Sequence, residues 1–445
     1  MPTGLAWRPD GTLVISSLKG RVCLLRDTNG DGLEDEIKPF SDDLAAPYGV
    51  NCSGKDIDVI NKYGLLRLYD SDGDGHAEKT EVLADGWGYT ADYHDWAVGL
   101  PRDAQGNYYV ALPCQQDERS EAAARLRGWA LKLVPRTPTA DDPRRFAVER
   151  FAGGLRFPMG LALNRAGDLF ATDNQGNYTP FNELNQLSPG TRYGFINKLE
   201  VKPGFAPPFK PAAIEIPHPW TRSINGICFL YTPEAVQKKL GRPLFGPFEG
   251  QLVGCEYNNR ALVRMSLERI GDTYQGAVYP LSRPAAEGEE TFEGPVVCAV
   301  APDGDLYIGS LRDSAWGGGQ NTGSIVRLRP DGPLPPGIAE VRAARDGFSI
   351  HFTQPLERAA AADTAHYSVV SYRRIPTPAY GGADADTKAA RVRSVAVSEN
   401  GLSARLVLDE MRPGFVYEIR LTGLDSGGQP MFPAEAYYTL RQVPK

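Results

Sequence analysis

Apolar and polar residues alternate with a period of two along most of the chain, in short runs closed by Gly, Asp, Asn or Pro. That pattern predicts strands joined by tight turns. The clearest unit is Gly4-Leu5-Ala6-Trp7-Arg8-Pro9-Asp10-Gly11-Thr12-Leu13-Val14-Ile15-Ser16, matched by Gly160-Leu161-Ala162-Leu163-Asn164-Arg165-Ala166-Gly167-Asp168-Leu169-Phe170-Ala171-Thr172. Weaker copies begin at Gly49, Gly99, Gly226 and Val297. Each reads as strand, turn, strand. A third alternating run follows at 21–25, 65–68, 129–133, 261–265 and 324–328, and usually a fourth. Repeats of this kind, with intervals that lengthen along the chain, predict four-stranded blades and an all-β, six-bladed β-propeller over residues 1–330. A doubly wound α/β fold is disfavoured because no helix-period segment separates the strands; only 233–240 reads as helical, as an insertion.

The sixth unit shows three runs before the Pro-rich stretch 331–337, which reads as a linker. A propeller closes by completing its last blade with a terminal strand, so the missing strand is expected upstream, in a chain truncated at its N-terminus. From 338 to 445 the runs lengthen, and this texture predicts a small β-sandwich of the immunoglobulin or fibronectin class, without a Cys-Trp-Cys signature. Its expected role is that of a spacer, with carbohydrate binding as the alternative.

The composition is ordinarily globular: 445 residues, 42% hydrophobic and 23% charged, with Gly 48 and Pro 36 to serve the turns. A net charge of −7 without a basic block gives no electrostatic basis for nucleic acid or an anionic membrane. No apolar run approaches the roughly 20 residues of a membrane helix. Six cysteines lack any CxxC spacing, which reads as buried free thiols; a Cys228–Cys255 disulfide stays open.

The sharpest local motif is Asp70-Ser71-Asp72-Gly73-Asp74-Gly75-His76-Ala77-Glu78-Lys79-Thr80-Glu81. Its acids stand at the first, third, fifth, ninth and twelfth positions of a calcium loop, with Gly at the sixth, and His76 offers a carbonyl. The set Asp70, Asp72, Asp74, His76, Glu78 and Glu81 therefore predicts calcium. A sister loop offers Asp27, Asn29, Asp31, Leu33 through its carbonyl, and Asp35, with Lys38 in the place of the bidentate glutamate, so weaker binding is expected there. Both loops follow strands, which excludes paired EF-hands and makes the metal structural.

In a propeller the loops entering the first strand and leaving the second converge on one end of the channel. They nominate Tyr48, His94, Asp95, Arg156, Arg222 and Asn225, then Lys62, Gln115, Asp173, Asn174, Gln175, Glu256, Tyr257, Asn258 and Arg312. His94, flanked by Tyr93, Asp95 and Trp96, is the candidate base, because a neutral imidazole is the usual one near pH 7. His218-Pro219-Trp220 and Trp316-Gly317-Gly318-Gly319 are candidates for a sugar-stacking wall, or for packing between blades.

Arg156-Phe157-Pro158-Met159-Gly160-Leu161-Ala162, Asp173-Asn174-Gln175-Gly176, Asn182-Glu183-Leu184-Asn185 and Pro189-Gly190-Thr191-Arg192-Tyr193-Gly194-Phe195 together resemble the fourth-blade signature of the glucose/sorbosone dehydrogenase-like propellers. With the acidic loops and C-terminal sandwich, the chain looks most like the dehydrogenase-like modules of large planctomycete and verrucomicrobial multidomain proteins. The resemblance covers residues 1–330 well and the remainder less specifically. It implies a periplasmic or extracellular quinoprotein that takes a hydride from a sugar or polyol, with calcium and pyrroloquinoline quinone (PQQ) as cofactors and a separate electron-acceptor domain as partner. It makes His94 the base, places Arg156 against cofactor or substrate, and turns carbonyls near Gln175 and Gly176 toward the cofactor's calcium, with Glu183 close by.

Three departures stand out. Gly294-Pro295-Val296 occupies the place of an arginine pair that would hold the quinone's carboxylates, Asn182 replaces an acid, and Phe157 replaces a polar partner. Arg222, Arg312 and Lys62 are the cations available to compensate. The alternatives are a calcium-stabilised propeller that binds glycan or a partner protein without turnover and, more remotely, a glycan lyase or hydrolase using His94, Tyr93 and Glu256.

Overall fold

In the computed structural model, residues 1–445 are described except 93, 115–118, 202–203, 284–290 and 315–319. Six antiparallel sheets follow one another as blades, and their first strands are Pro2–Trp7, Val50–Ser53, Val98–Arg102, Pro158–Leu163, Ile224–Phe229 and Pro295–Val300. Each first strand packs on the next, and the last packs on the first, so the ring closes as a six-bladed β-propeller. Blades one to five have four strands in chain order; blade six has three among the described residues. Blade three gains Thr191–Arg192 as a parallel fifth strand. The one sizeable helix among the described residues, Glu234–Leu240, is the insertion expected within blade five.

The glycines that head the second, fourth and fifth repeats share a packing reason. A Cβ on Gly49 would lie 1.6 Å from the Gly99 carbonyl oxygen, one on Gly160 2.3 Å from that of Asn225, and one on Gly226 2.6 Å from that of Val296. The innermost strands approach so closely that a side chain there would force them apart. At this point the ladder also slips by a bulge in blades one, three, four, five and six, re-aiming the residues that enter the channel mouth. The strands surround an axial cavity of about 250 Å³ lined by Gly4, Tyr48, Gly99, Met159, Gly226 and Val297 among others.

Beyond Ile338 two sheets share one apolar core that includes Phe348, Ile350, Leu406, Tyr417, Ile419 and Tyr438. One sheet has the order Ile338–Ala344, Gly347–Phe352, Ser403–Leu408, Val392–Val397. The other is a continuation of the propeller: Glu435–Leu440 pairs antiparallel with the outer strand of blade five, Thr273–Pro280, and Phe415–Leu421, Tyr367–Arg374 and Asp384–Ala389 follow. Arg264 locks this junction. It is fully buried, donates to the carbonyls of Ile338 and Ala339 and to Gln251, and lies 4.0 and 4.3 Å from the Phe248 and Tyr279 ring centroids. All six cysteines are free thiols, and no described helix is long and apolar enough to cross a membrane.

Candidate functional site

The loop that enters blade three carries His94, and hydrogen bonds fold that loop on itself. Asp92 accepts the His94 backbone N–H at 2.7 Å and faces the ring Nδ1 at 3.1 Å. A carboxylate accepts only a donor, so this contact protonates Nδ1 and makes Nε2 the proton-accepting nitrogen. Burial holds the imidazole below its ordinary pKa against the opposing pull of Asp92, and the Arg156 charge adds to the lowering; the ring is neutral at pH 7. It meets Phe157 edge-on at 5.4 Å and lies 6.2 Å from Trp96, on which Tyr48 stacks at 5.0 Å.

Asp95, nominated as the histidine's neighbour, is engaged elsewhere: it accepts from the Thr90 N–H and hydroxyl, each at 2.6 Å, and from Arg119 at 2.7 Å. Asp92 was the residue missed. Its only signal was a carboxylate two positions before a histidine in a turn. Lys62 also acts on this loop, donating to the carbonyls of Thr90 and Asp92 at 3.2 and 2.7 Å, and burial lowers its pKa. Tyr93, Gln115 and 316–319 lie outside the described residues.

Two nominated acids turn out to be clamps. Asp173 ends the second strand of blade four and accepts the N–H groups of Arg156 and Phe157 at 2.8 and 2.5 Å. Glu256 does the same in blade five for Arg222 and Ser223 at 2.8 and 2.7 Å, and also accepts from Asn259. Both carboxylates are buried, Asp173 with its pKa pushed up to about 7 by that burial, and both hold the main chain of the loops that enter the next strands. Asn174 ties blade four to blade five through the Ile224 N–H at 2.9 Å. Gln175 is likewise turned inward, its N–H on Asn182 and its amide on the Pro180 carbonyl.

Across blade four, Asp173 pairs with Glu183 and Glu183 with Glu215, a row of carboxylates that Arg441 faces at 3.0 Å from Glu215. Burial and then Asp173 push Glu183 up to about 8. His94 and Arg156 are partly exposed, Arg222 and Asn258 are exposed, and Arg312 is half-buried at the end of its strand, whereas Phe157 is buried against His94. The Tyr48 hydroxyl is buried without a hydrogen-bond partner beside the axial cavity. Such a group is completed by water or by a ligand hydroxyl.

Away from the mouth, the two acidic loops have the same main-chain geometry. Asp70 accepts from Gly73 and Gly75, Asp72 from Asp74, Asp74 from His76, and Glu78 from Ser71. Asp27, Asn29, Asp31 and Asp35 repeat these bonds in blade one. Oxygens of Asp70, Asp72, Asp74 and Glu78 lie within 4.8 Å of one another, a donor set suited to a hard dication. Glu81 is not among them: it is held by Arg145 and by the Tyr69 hydroxyl, because its strand carries it toward blade three. Lys38 reaches the Asp74 carbonyl and so ties the two loops together.

A family model described as a domain of unknown function, DUF7133, matches residues 8–313. The chain belongs to that family. No curated protein matches it. Among solved structures, this DUF7133 chain is similar to a Thermus thermophilus protein described as a putative oxidoreductase (glucose dehydrogenase), at 19% identity and TM-score 0.54 over 74% of this chain and 96% of that one. It is also similar to the soluble aldose sugar dehydrogenase of Escherichia coli in its apo form (16%, TM-score 0.51, 74% and 96%). A third is the PQQ-bound aldose sugar dehydrogenase of Streptomyces coelicolor (17%, TM-score 0.50, 73% and 93%). At these identities the likeness is one of fold.

The residues of this DUF7133 chain do not fit PQQ as the resemblance would bind it. A side chain begun at Gly294 would lie 2.6 Å from the Tyr257 ring and 2.7 Å from the Leu311 carbonyl, and Val296 is fully buried. The Asn182 amide is engaged by the Gln175 N–H at 2.9 Å and by Thr221 at 2.8 and 3.0 Å. The Gly176 carbonyl accepts the Gly381 N–H at 3.1 Å.

Proposed function

We propose that the channel mouth binds a neutral carbohydrate or small polyol and that His94 accepts the proton of a substrate hydroxyl. The carbon bearing that hydroxyl becomes a carbonyl as its hydride passes to a two-electron acceptor on another domain or protein, within a periplasmic or extracellular multidomain assembly. The observation that carries this reading is the pair Asp92 and His94, which presents a neutral imidazole with a defined tautomer beside Phe157 and Arg156. Phe157, buried, backs the imidazole, and Arg156 offers a cation to the oxygens of a sugar. The loop of Asp70, Asp72, Asp74 and Glu78 holds calcium and stiffens the outer edge of blade two.

A second reading is a binding propeller without turnover, favoured by the Gly176 carbonyl and Asn182 amide being engaged within the protein. Lyase or hydrolase chemistry is left without its carboxylate, since Glu256 serves main-chain donors. The test is a panel of sugars and polyols with an artificial acceptor dye, run with and without added PQQ. Reduction of the dye that is lost in His94→Ala supports the oxidoreductase. Saturable binding with no reduction under any condition replaces it with the binding propeller, and an unsaturated, ultraviolet-absorbing product replaces it with a lyase.

A further inference from the structure

The segment 375–383 leaves the C-terminal sheet between Tyr367–Arg374 and Asp384–Ala389 and lies along the rim of blade four. Main-chain bonds hold it there. The Tyr178 N–H donates to the Thr377 carbonyl at 2.8 Å, the Gly381 N–H to the Gly176 carbonyl at 3.1 Å, and the Asn177 amide to the Pro378 carbonyl at 2.6 Å. Asn177 and Tyr380 form an isolated β-bridge. Gly381 sits at φ +70°, where a Cβ would press on the Gln175 amide at 3.1 Å, so the turn requires glycine. At the root of the segment, the Arg374 guanidinium is 7% exposed, donates to the Pro180 and His218 carbonyls, and pairs with Asp384 at 2.7 Å.

These contacts fix Tyr380 in an unusual place. Its ring is 59% exposed although the backbone that carries it is anchored on both sides. The Arg156 guanidinium lies 5.6 Å from it and 5.3 Å from Phe157, and Phe157 in turn touches His94. Beside Tyr380 opens a cavity of about 510 Å³ lined by Gln175, His218 and Pro219 of the propeller and by Arg374, Tyr380 and Asp384 of the C-terminal sheets. A large aromatic face kept in water, rigidly mounted and ringed by polar groups, suits a ligand that is apolar on one face and hydroxylated at its edge. His94, Phe157, Arg156 and Tyr380 thus contact one another in turn.

We propose that the C-terminal sheets supply the distal half of the ligand site, so that the substrate is an oligosaccharide or glycoside, with its reactive residue at His94 and a following residue stacked on Tyr380. This rests on the carbohydrate reading of the mouth. A monosaccharide occupies the mouth alone and does not touch the segment.

The experiment is calorimetric titration of the full chain with linear gluco-, xylo- and manno-oligosaccharides, from monosaccharide to tetrasaccharide, on the wild type, Tyr380→Ala and Tyr380→Phe. One series is expected to bind roughly tenfold more tightly as the trisaccharide than as the monosaccharide, the order of one good aromatic contact. Tyr380→Ala removes that gain and leaves the monosaccharide unchanged, while Tyr380→Phe keeps it. Binding that does not depend on length, or a gain that survives Tyr380→Ala, overturns the inference and leaves the carbohydrate reading intact. Failure of every sugar to bind overturns both. Length-dependent binding without dye reduction upholds the distal site and removes only the oxidoreductase.

Discussion

Gly49→Ala tests the reason for the repeat's leading glycine. The new Cβ would stand 1.6 Å from the Gly99 carbonyl oxygen and 2.8 Å from its carbon, with the Ile60 Cγ2 at 2.9 Å. Real Cβ contacts do not fall below 3.0 Å, so two neighbouring first strands must separate by more than an ångström. The obstacle is backbone and cannot rotate away, which places the cost at or above the upper end of overpacking, about 3 kcal/mol. The Gly99 N–H bond to the Tyr48 carbonyl, 3.2 Å long, sits at the same point, and its loss adds about 1 kcal/mol.

The comparison is Gly254→Ala, in the second strand of blade five, where the nearest atoms are the Met265 Cε and Val263 Cγ2 at 3.1 Å. Those side chains yield, so the expected cost there is under about 1 kcal/mol. Urea unfolding of the two variants with the wild type, followed by intrinsic fluorescence, gives the difference. A Gly49→Ala variant as stable as Gly254→Ala would refute the close-approach argument and with it the physical basis offered for the repeat.

Calcium should raise the melting temperature, by the equivalent of about 2.7 kcal/mol when present at a hundredfold excess over its dissociation constant, and Asp72→Asn, which keeps an oxygen but removes a charge, should weaken the response; calorimetry with calcium and with a chelator checks this. Glu183 and Asp173 are raised to about 8 and about 7, so the stability tied to their protonated forms is complete below about pH 4 and lost as pH rises through those values. Unfolding midpoints should therefore fall as pH rises from about 4 to about 8 and level off above that, and Glu183→Gln should flatten the slope. Arg264→Met takes the donor from the Ile338 carbonyl and the Gln251 side-chain oxygen, at about 1–3 kcal/mol for each, while Gln251 still donates to the Ala339 carbonyl at 3.1 Å, and protease sensitivity should appear first in the C-terminal sheets.

The propeller was legible in the sequence because its constraint is local and repeated. A glycine where first strands meet, then a tight turn such as Pro9-Asp10-Gly11 or Arg165-Ala166-Gly167, recurs in register with alternating apolar residues. His94 and Arg156 were reachable the same way, since the loops that carry them follow from the blade register. Other features depend on contacts far apart in the chain. Nothing near Thr273–Pro280 announces that Glu435–Leu440 will extend its sheet, nor does 375–383 announce the rim of blade four. Asp173 and Glu256 looked like ligand groups because a polar residue at a strand end reads alike whether it faces a channel or caps its own loop. Only the burial and the main-chain donors separate the two.

The most direct measurement is a crystal structure of the protein with the sugar that binds best in the panel. A sugar hydroxyl is expected within hydrogen-bond distance of the His94 Nε2, with another of its oxygens near Arg156. A ligand seated elsewhere, with the mouth around His94 holding none of it, would contradict the assignment of this site.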